Sequence, residues 1–297
     1  MAIIHSTAIG KAKGSLGNIT YRTQGGVCIG SERVPKGSGK SRTLAQMMNR
    51  TQWANLINLW QAFTGNDRPS FEARTARVSD YNLFISRNNG AAPVYLTRSE
   101  AGQGACVVAP YLVTEGSLPA IDVNASGVSG EVGTDIRLGN ISIGEETTLG
   151  QVSAAIIANN EDFINGDQIT AFVIRQETNS STNVPYVRVQ AFKMVLNSSD
   201  TTTLLSDIDP DGLVFAKQGT SDKLGMNQTV NGGVVYIHSR KVAGETKVST
   251  QRLVVTNTIL SRYQTPTAMI SAVLSYGGQT TSLYLTPTDP LAPSVNP

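Results

Sequence analysis

The sequence predicts an α+β protein in which an N-terminal β-hairpin arm and helices precede a β-dominated body with two short helices. Three observations carry this. Trp53, Ile57, Trp60 and Phe63 recur at the spacing of one helical face. Beyond residue 90 the texture changes to short β-branched runs separated by Gly, Asn, Asp and Ser. Those runs outnumber the helical segments, which sets the class.

Taken in order, "GKAKGSLGNITYRTQGGVCIGSERV" alternates Ile19, Tyr21, Val27 and Ile29 around Gly25-Gly26. Paired glycines supply the positive φ that a tight hairpin turn needs, so the segment reads as a β-hairpin behind a glycine-rich lead. Thr43 and Gln46 have the spacing of a capping box, and a helix follows over 44–63. Its apolar stripe, Trp53 to Phe63, is expected to be buried. "TGNDRPS" breaks it, and a second short helix is expected between Ser79 or Asp80 and Asn88-Asn89-Gly90.

Seven later segments read as strands: "GACVVAPYLV", "TDIRLGNISIG", "DQITAFVIRQ", "VPYVRVQAFKMVL", "GLVFAKQ", "GGVVYIHSRKV" and "TKVSTQRLVVTN". A hairpin turn is placed at Ala243-Gly244. Two helices interrupt the strands, "TTLGQVSAAIIANN" with Leu149, Val152, Ala155 and Ile156 on one face, and "TPTAMISAVLSYGG" with proline near its start. The tail "TPTDPLAPSVNP" holds four prolines and reads as an extended arm or linker. The domain reading is therefore 1–43, a basic arm with the hairpin; 44–90, helical; 91–285, the β-rich body; and 286–297, the Pro-rich tail.

The chain has 297 residues and a net charge of +2, which hides an asymmetry. Residues 1–50 hold eight Lys or Arg against the single acid Glu32, whereas the remainder holds 16 basic and 21 acidic side chains. The basic set is Lys11, Lys13, Arg22, Arg33, Lys36, Lys40, Arg42 and Arg50, the candidate interaction arm. Such a segment can neutralise phosphates, dock on an acidic patch of another copy, or remain a solvated face. Glycine density over residues 10–26 favours close backbone approach to a neighbour. Nothing at the N-terminus resembles a signal peptide, and nowhere do about 18 apolar residues follow one another as a membrane span requires. Synthesis in a cytoplasm, and no membrane partner, are the expectations.

Motifs for chemistry fail at positions the chemistry needs. Gly39-Lys40-Ser41 has the ending of a phosphate-binding loop, yet Val34 and Pro35 stand where a glycine and free N–H groups would curl around phosphate. "DIDPDG" opens like a calcium loop at Asp207, Asp209, Asp211 and Gly212, but its twelfth position is Gln218 instead of a bidentate Glu. A turn is expected there. His5 and His238 have no neighbouring Ser, Cys or acid in a nucleophile arrangement, and Glu145-Glu146 and Glu161-Asp162 read as solvated acids. Cys28 and Cys106, each flanked by apolar residues, are expected to be buried reduced thiols. No enzyme activity, metal or cofactor is expected.

The combination "GKAKGSLGNITYR…GG…SERV…SRTLAQMMNR" before a Trp-rich helix resembles the N-terminus of a family of uncharacterised proteins found in Bacteroidetes and their phages. "VYLTRSEAGQGACVVAPYLVTEGSLPAI" and "HSRKVAGETKVSTQ…SYGG" are similar to segments of that family and of structural proteins in crAss-like phages. The matching positions are Gly10, Gly14, Gly17, Asn18, Arg22, Arg42, Thr43, Gln46 and Arg50, then Ser239, Arg240, Lys241, Val248, Ser249, Thr250 and Gln251. Lys40-Ser41 departs from the family's Asn-Pro. The resemblance implies a virion structural protein made in a bacterial host, a tail or head-to-tail ring subunit. Its partners would be further copies of itself and portal, tail or capsid neighbours. The alternative is an architectural nucleic-acid binder that contacts DNA through the basic arm.

Overall fold

The computed structural model describes residues 3–4, 12–24, 27–32, 44–63, 68–125, 132–218, 222–226, 230–256 and 259–277. The mixed α+β class with a strand-dominated body holds. The tail over 286–297 and the phosphate-loop-like stretch over 33–43 lie outside these residues.

Instead of one hairpin, the N-terminal region forms a four-stranded antiparallel meander of β1 (Ile3–Ile4), β2 (Ala12–Leu16), β3 (Ile19–Gln24) and β4 (Val27–Glu32). The expected hairpin is its β3–β4 half, where Gln24 pairs with Val27 across the Gly25-Gly26 position. A second hairpin, β2–β3, turns at Gly17-Asn18 with Gly17 at φ +57°. Cys28 is exposed, contrary to the sequence expectation. Its apolar neighbours lie on an outer strand of a sheet that no second layer covers among the described residues, so flanking hydrophobicity did not mean burial.

Helix α1 (Leu44–Ala62) matches its expected bounds, and α2 (Asp80–Asn88) starts at the Ser79 N-cap, whose side chain accepts from the Asn82 N–H. The buried face of α1 is not the expected stripe. Met47, Thr51, Asn55, Leu56 and Leu59 are buried with Phe63, whereas Ile57 and Trp60 are half-buried and Trp53 is 45% exposed. The apolar positions cover more than one face of the helix, and the core took the side carrying Asn55, Leu56 and Leu59.

Past α3 (Arg98–Gly102) and β5 (Leu112–Thr114), a second sheet is begun by β6 (Val123–Ala125) and β7 (Val132–Arg137). Helix α4 (Leu149–Asn159) opens on a Thr148/Gln151 capping box and buries Leu149, Val152 and Ile156, with Ala155 half-buried. The central sheet is built on three 11-residue strands, β8 (Gln168–Thr178), β9 (Pro185–Val195) and, past α5 (Leu205–Ile208), β10 (Ala216–Lys217) and β11 (Lys223–Met226), β12 (Gly232–Val242). Strand β13 (Glu245–Val248) turns back from β12 at Ala243-Gly244, with φ +51° and +86°, as expected of that hairpin. Then come β14 (Gln251–Arg252), which pairs with β5, and β15 (Val254–Thr256), which pairs with β12. Helix α6 (Leu260–Tyr263) and helix α7 (Pro266–Ser275), the latter with proline at its start, close the described chain.

The central sheet runs in order β13-β12-β8-β9, and its inner strands β8 and β12 are buried on both faces over most of their length. Phe172, Ile174, Val235 and Ile237 pack with Leu56, Leu59 and Phe63 of the helical layer. Ile169, Ala171, Val173, Val234 and Tyr236 point the other way, onto α4 and the β10-β11-β7-β6 sheet. Double burial explains why "ITAFVI" is a nearly unbroken apolar run instead of an alternating one. Gly232 sits at φ +138°, and an added Cβ would meet the Ile174 carbonyl oxygen at 2.0 Å, so only glycine lets β12 start against β8.

One expected strand is absent as such. Residues 105–109 are buried but form no ladder, and strand structure begins only at Leu112. Side chains supply the missing strand partner. Asn55 accepts from the Val107 N–H at 2.7 Å and donates to its carbonyl at 2.9 Å. Gln176 accepts from the Val108 N–H at 2.8 Å and donates to the Cys106 carbonyl at 3.0 Å. Buried backbone groups need partners, and two amide side chains copy the donor and acceptor pair of a neighbouring strand. Cys106, as expected, is buried, and burial pushes its thiol pKa well up.

Candidate functional site

Three residues of the basic set, Lys13, Arg22 and Arg50, fall among the described residues. Arg22 is exposed on β3, Lys13 occupies β2 opposite Ile3, and Arg50 is exposed on α1. Lys11, Arg33, Lys36, Lys40 and Arg42 lie outside the described residues. What the structure adds is the platform. Strand alternation puts Ile19, Tyr21 and Cys28 on one face of the meander and Thr20, Arg22, Ile29 and Ser31 on the other. Tyr21 leans over the glycine opposite it, 3.3 Å from where a Gly30 Cβ would stand. The apolar side chains remain open, Ile19 at 44% and Val27 at 43% exposure. No ladder joins this sheet to the body among the described residues.

His238 has no neighbour in a nucleophile arrangement, as read from the sequence, but the fold gives it a distant partner. That partner is an acid, Asp167, 71 residues earlier and brought beside it by the β8–β12 pairing. The fully buried Asp167 carboxylate receives Arg240 Nε and Nη2, each at 2.7 Å, His238 Nε2 at 2.9 Å and the Ile164 N–H at 2.9 Å. Burial pushes this carboxyl pKa up, but the Arg240 guanidinium and the other donors outweigh it and hold it below the usual range. Burial holds the imidazole below its ordinary pKa against the pull of that carboxylate. Above about pH 6.5 such a ring is neutral and, facing a carboxylate, donates from Nε2; it lies 4.5 Å from the Phe163 ring, tilted by 36°, and leaves Nδ1 buried without a partner. A cavity of about 50 Å³ lies beside it. Ser249 Oγ accepts from the backbone N–H of His238 at 3.0 Å, so it serves the main chain and does not form the hydroxyl–imidazole contact of a hydrolytic triad.

This geometry sets a pH dependence. The imidazole titrates near 6.5 when unfolded and lower when folded, so below about pH 6.5 the unfolded chain binds more protons. Stability then falls as pH drops toward the folded value. Thermal midpoints should decline between pH 7 and 5, and His238→Gln, which keeps a donor for Asp167, should flatten the decline. Equal slopes for the two proteins would refute this assignment.

The other acidic motifs serve the backbone. Asp209 of "DIDPDG" is buried and accepts from the N–H groups of Leu213, Val214 and Phe215 at 2.7–2.9 Å, while Asp207 accepts from Leu204 N–H at 3.0 Å. The expected turn is there, and no metal-holding group of three His, Cys, Asp or Glu occurs among the described residues. Glu72 likewise accepts from the N–H groups of Ser117 and Val248 at 2.9 and 2.7 Å, beneath a groove of about 530 Å³. A third hollow, of about 370 Å³, has Leu205 and Phe215 in its floor and Glu145 and Asp211 on its rim. No helix among the described residues is long and apolar enough to cross a membrane.

The described residues thus define a three-layer α+β body and a four-stranded sheet that no ladder joins to it among them. Comparison with protein-family models, curated proteins and solved structures returns no match to this chain.

Proposed function

We propose that the chain is a structural protein of a bacteriophage virion, a tail or head-to-tail ring subunit that assembles in many copies and meets other virion proteins. Its role is architectural rather than enzymatic. The observation that carries this reading is the N-terminal meander, which among the described residues pairs only with itself and leaves Ile19 on one face and Val27 on the other exposed. A small sheet with no covering layer is marginal in water, and a second protein surface supplies the missing layer. The charge asymmetry selects that surface, because the arm is basic and the rest of the chain is net acidic. The sequence segments similar to phage structural proteins agree with it.

Deleting residues 1–43 should leave a folded body that fails to assemble. Raised salt should weaken the intact assembly, since exposed charge pairs are screened over about 8–10 Å. Sedimentation of full and truncated chains at low and high salt measures both. Equal assembly of the truncated chain would overturn the arm's role. A full chain that stays monomeric and shifts duplex DNA at physiological salt would replace the reading with an architectural nucleic-acid binder.

A further inference from the structure

The outward stripe of α1 combines features that the core did not use. Trp53 is 45% exposed, Ile57 and Trp60 are half-buried beside it, and Arg50 extends the stripe by one turn. Trp60 is held from within by Tyr81 and Phe84, at ring distances of 5.6 and 5.4 Å, and Arg68 lies over its ring at 6.0 Å. The result is a braced aromatic ridge flanked by two exposed cations. Trp and Arg are the residues that dominate binding energy at interfaces, and an indole covers roughly 150–250 Å².

The complementary shape is on the opposite outer layer. The ridge belongs to the helical side of the central sheet, whereas the 370 Å³ hollow belongs to the side of the second sheet. Its floor is apolar, at Leu205 and Phe215, and its exposed rim carries Glu145 and Asp211. The cation bordering it, Lys217, is turned to the carbonyls of Gly139 and Ile141, at 3.4 and 3.1 Å. A hydrophobic ridge with cations thus faces one way, and a hydrophobic hollow with carboxylates faces the other.

We infer that the Trp53 ridge of one copy seats in the Leu205–Phe215 hollow of a second copy, with Arg50 and Arg68 meeting the Glu145 and Asp211 rim. The inference rests on the ring-subunit reading and gives it a body-to-body contact in addition to the arm. Unlike patches on opposite layers make a head-to-tail contact, which closes into a ring when the rotation per subunit permits. Two identical basic ridges would repel one another, so a two-fold contact through the ridge is disfavoured.

The chain contains two tryptophans, both on this ridge, so intrinsic fluorescence reads the contact directly. In a Trp60→Phe protein, emission from Trp53 should shift to the blue as concentration rises and copies assemble. Trp53→Glu should raise the concentration for half-assembly by roughly tenfold or more while leaving the far-ultraviolet circular dichroism unchanged. Arg50→Glu and Asp211→Arg should each weaken assembly, and the two mixed in one chain should restore it. Undiminished assembly by Trp53→Glu, or a Trp53 emission that stays constant as sedimentation shows assembly, overturns the ridge contact and leaves the ring reading standing. A wild-type chain that is monomeric at every concentration overturns both.

Discussion

Replacing Asp167 with alanine should lower the unfolding free energy by about 3–5 kcal/mol, the cost of removing one partner from a buried ion pair. The carboxylate is fully buried, and four donors converge on it from Arg240, His238 and Ile164. Its loss leaves the Arg240 Nε and a fully buried imidazole N–H without acceptors, while Arg240 Nη2 keeps the Asp162 carbonyl at 2.7 Å. It also loosens the entry to β8, because Ile164 and Asp167 stitch the preceding turn to the central sheet. For a chain of this size the thermal midpoint should drop by roughly 10 °C. Arg240→Ala should cost less. The Arg240 side chain is 25% exposed, so water partly replaces it, and Asp167 keeps His238 and Ile164. Differential scanning calorimetry of the two variants tests the order, and an Asp167→Ala midpoint within about 2 °C of wild type would sink the argument. The clamp gives Arg240 of the "HSRKV" segment a physical role in the fold.

Local elements were legible wherever one short stretch held the whole cause. Helix α4 has its capping box and apolar face within a dozen residues, and the β12–β13 turn needs only Ala243-Gly244. Features that depend on long-range pairing were not. Asp167 and His238 meet only after β8 and β12 align, so nothing near either residue announced the contact. The buried face of α1 could not be chosen from periodicity, because Trp53 and Leu56 both belong to credible apolar stripes and only the docking of the central sheet decides between them. Cys28 misled for a related reason: its neighbours look like core, but among the described residues its sheet carries no covering layer. The candidate arm was legible as a charge imbalance alone. That imbalance carried no information on the four-stranded platform, since β1 joins it through pairing with β2 across the intervening segment.

Asn55 is the second position where a single change should be severe, and sequence reasoning placed it inside a helix without a role. Polar residues in helix interiors usually face water, yet Asn55 is fully buried. Its amide oxygen takes the Val107 N–H, and its nitrogen donates to the Val107 carbonyl and to the Tyr111 hydroxyl at 3.1 Å. Tyr111 in turn donates to the Ala92 carbonyl at 3.1 Å, so a chain of hydrogen bonds ties α1 to the ladder-free segment across the core. Asn55→Ala leaves two buried main-chain groups unsatisfied at about 1–3 kcal/mol each, for an expected loss of roughly 2–5 kcal/mol. Asn55→Asp should not rescue it. A carboxylate can still accept from Val107 N–H, but it cannot donate to the facing carbonyl, and ionised it would carry an unpaired charge into the core. Urea denaturation gives the size of the effect, and amide exchange at Val107 gives its location, since that N–H should lose protection in both variants. If Asn55→Ala unfolds at the wild-type urea concentration with Val107 still protected, the segment over residues 105–109 is held by apolar packing alone and the strand-mimic reading of Asn55 is wrong.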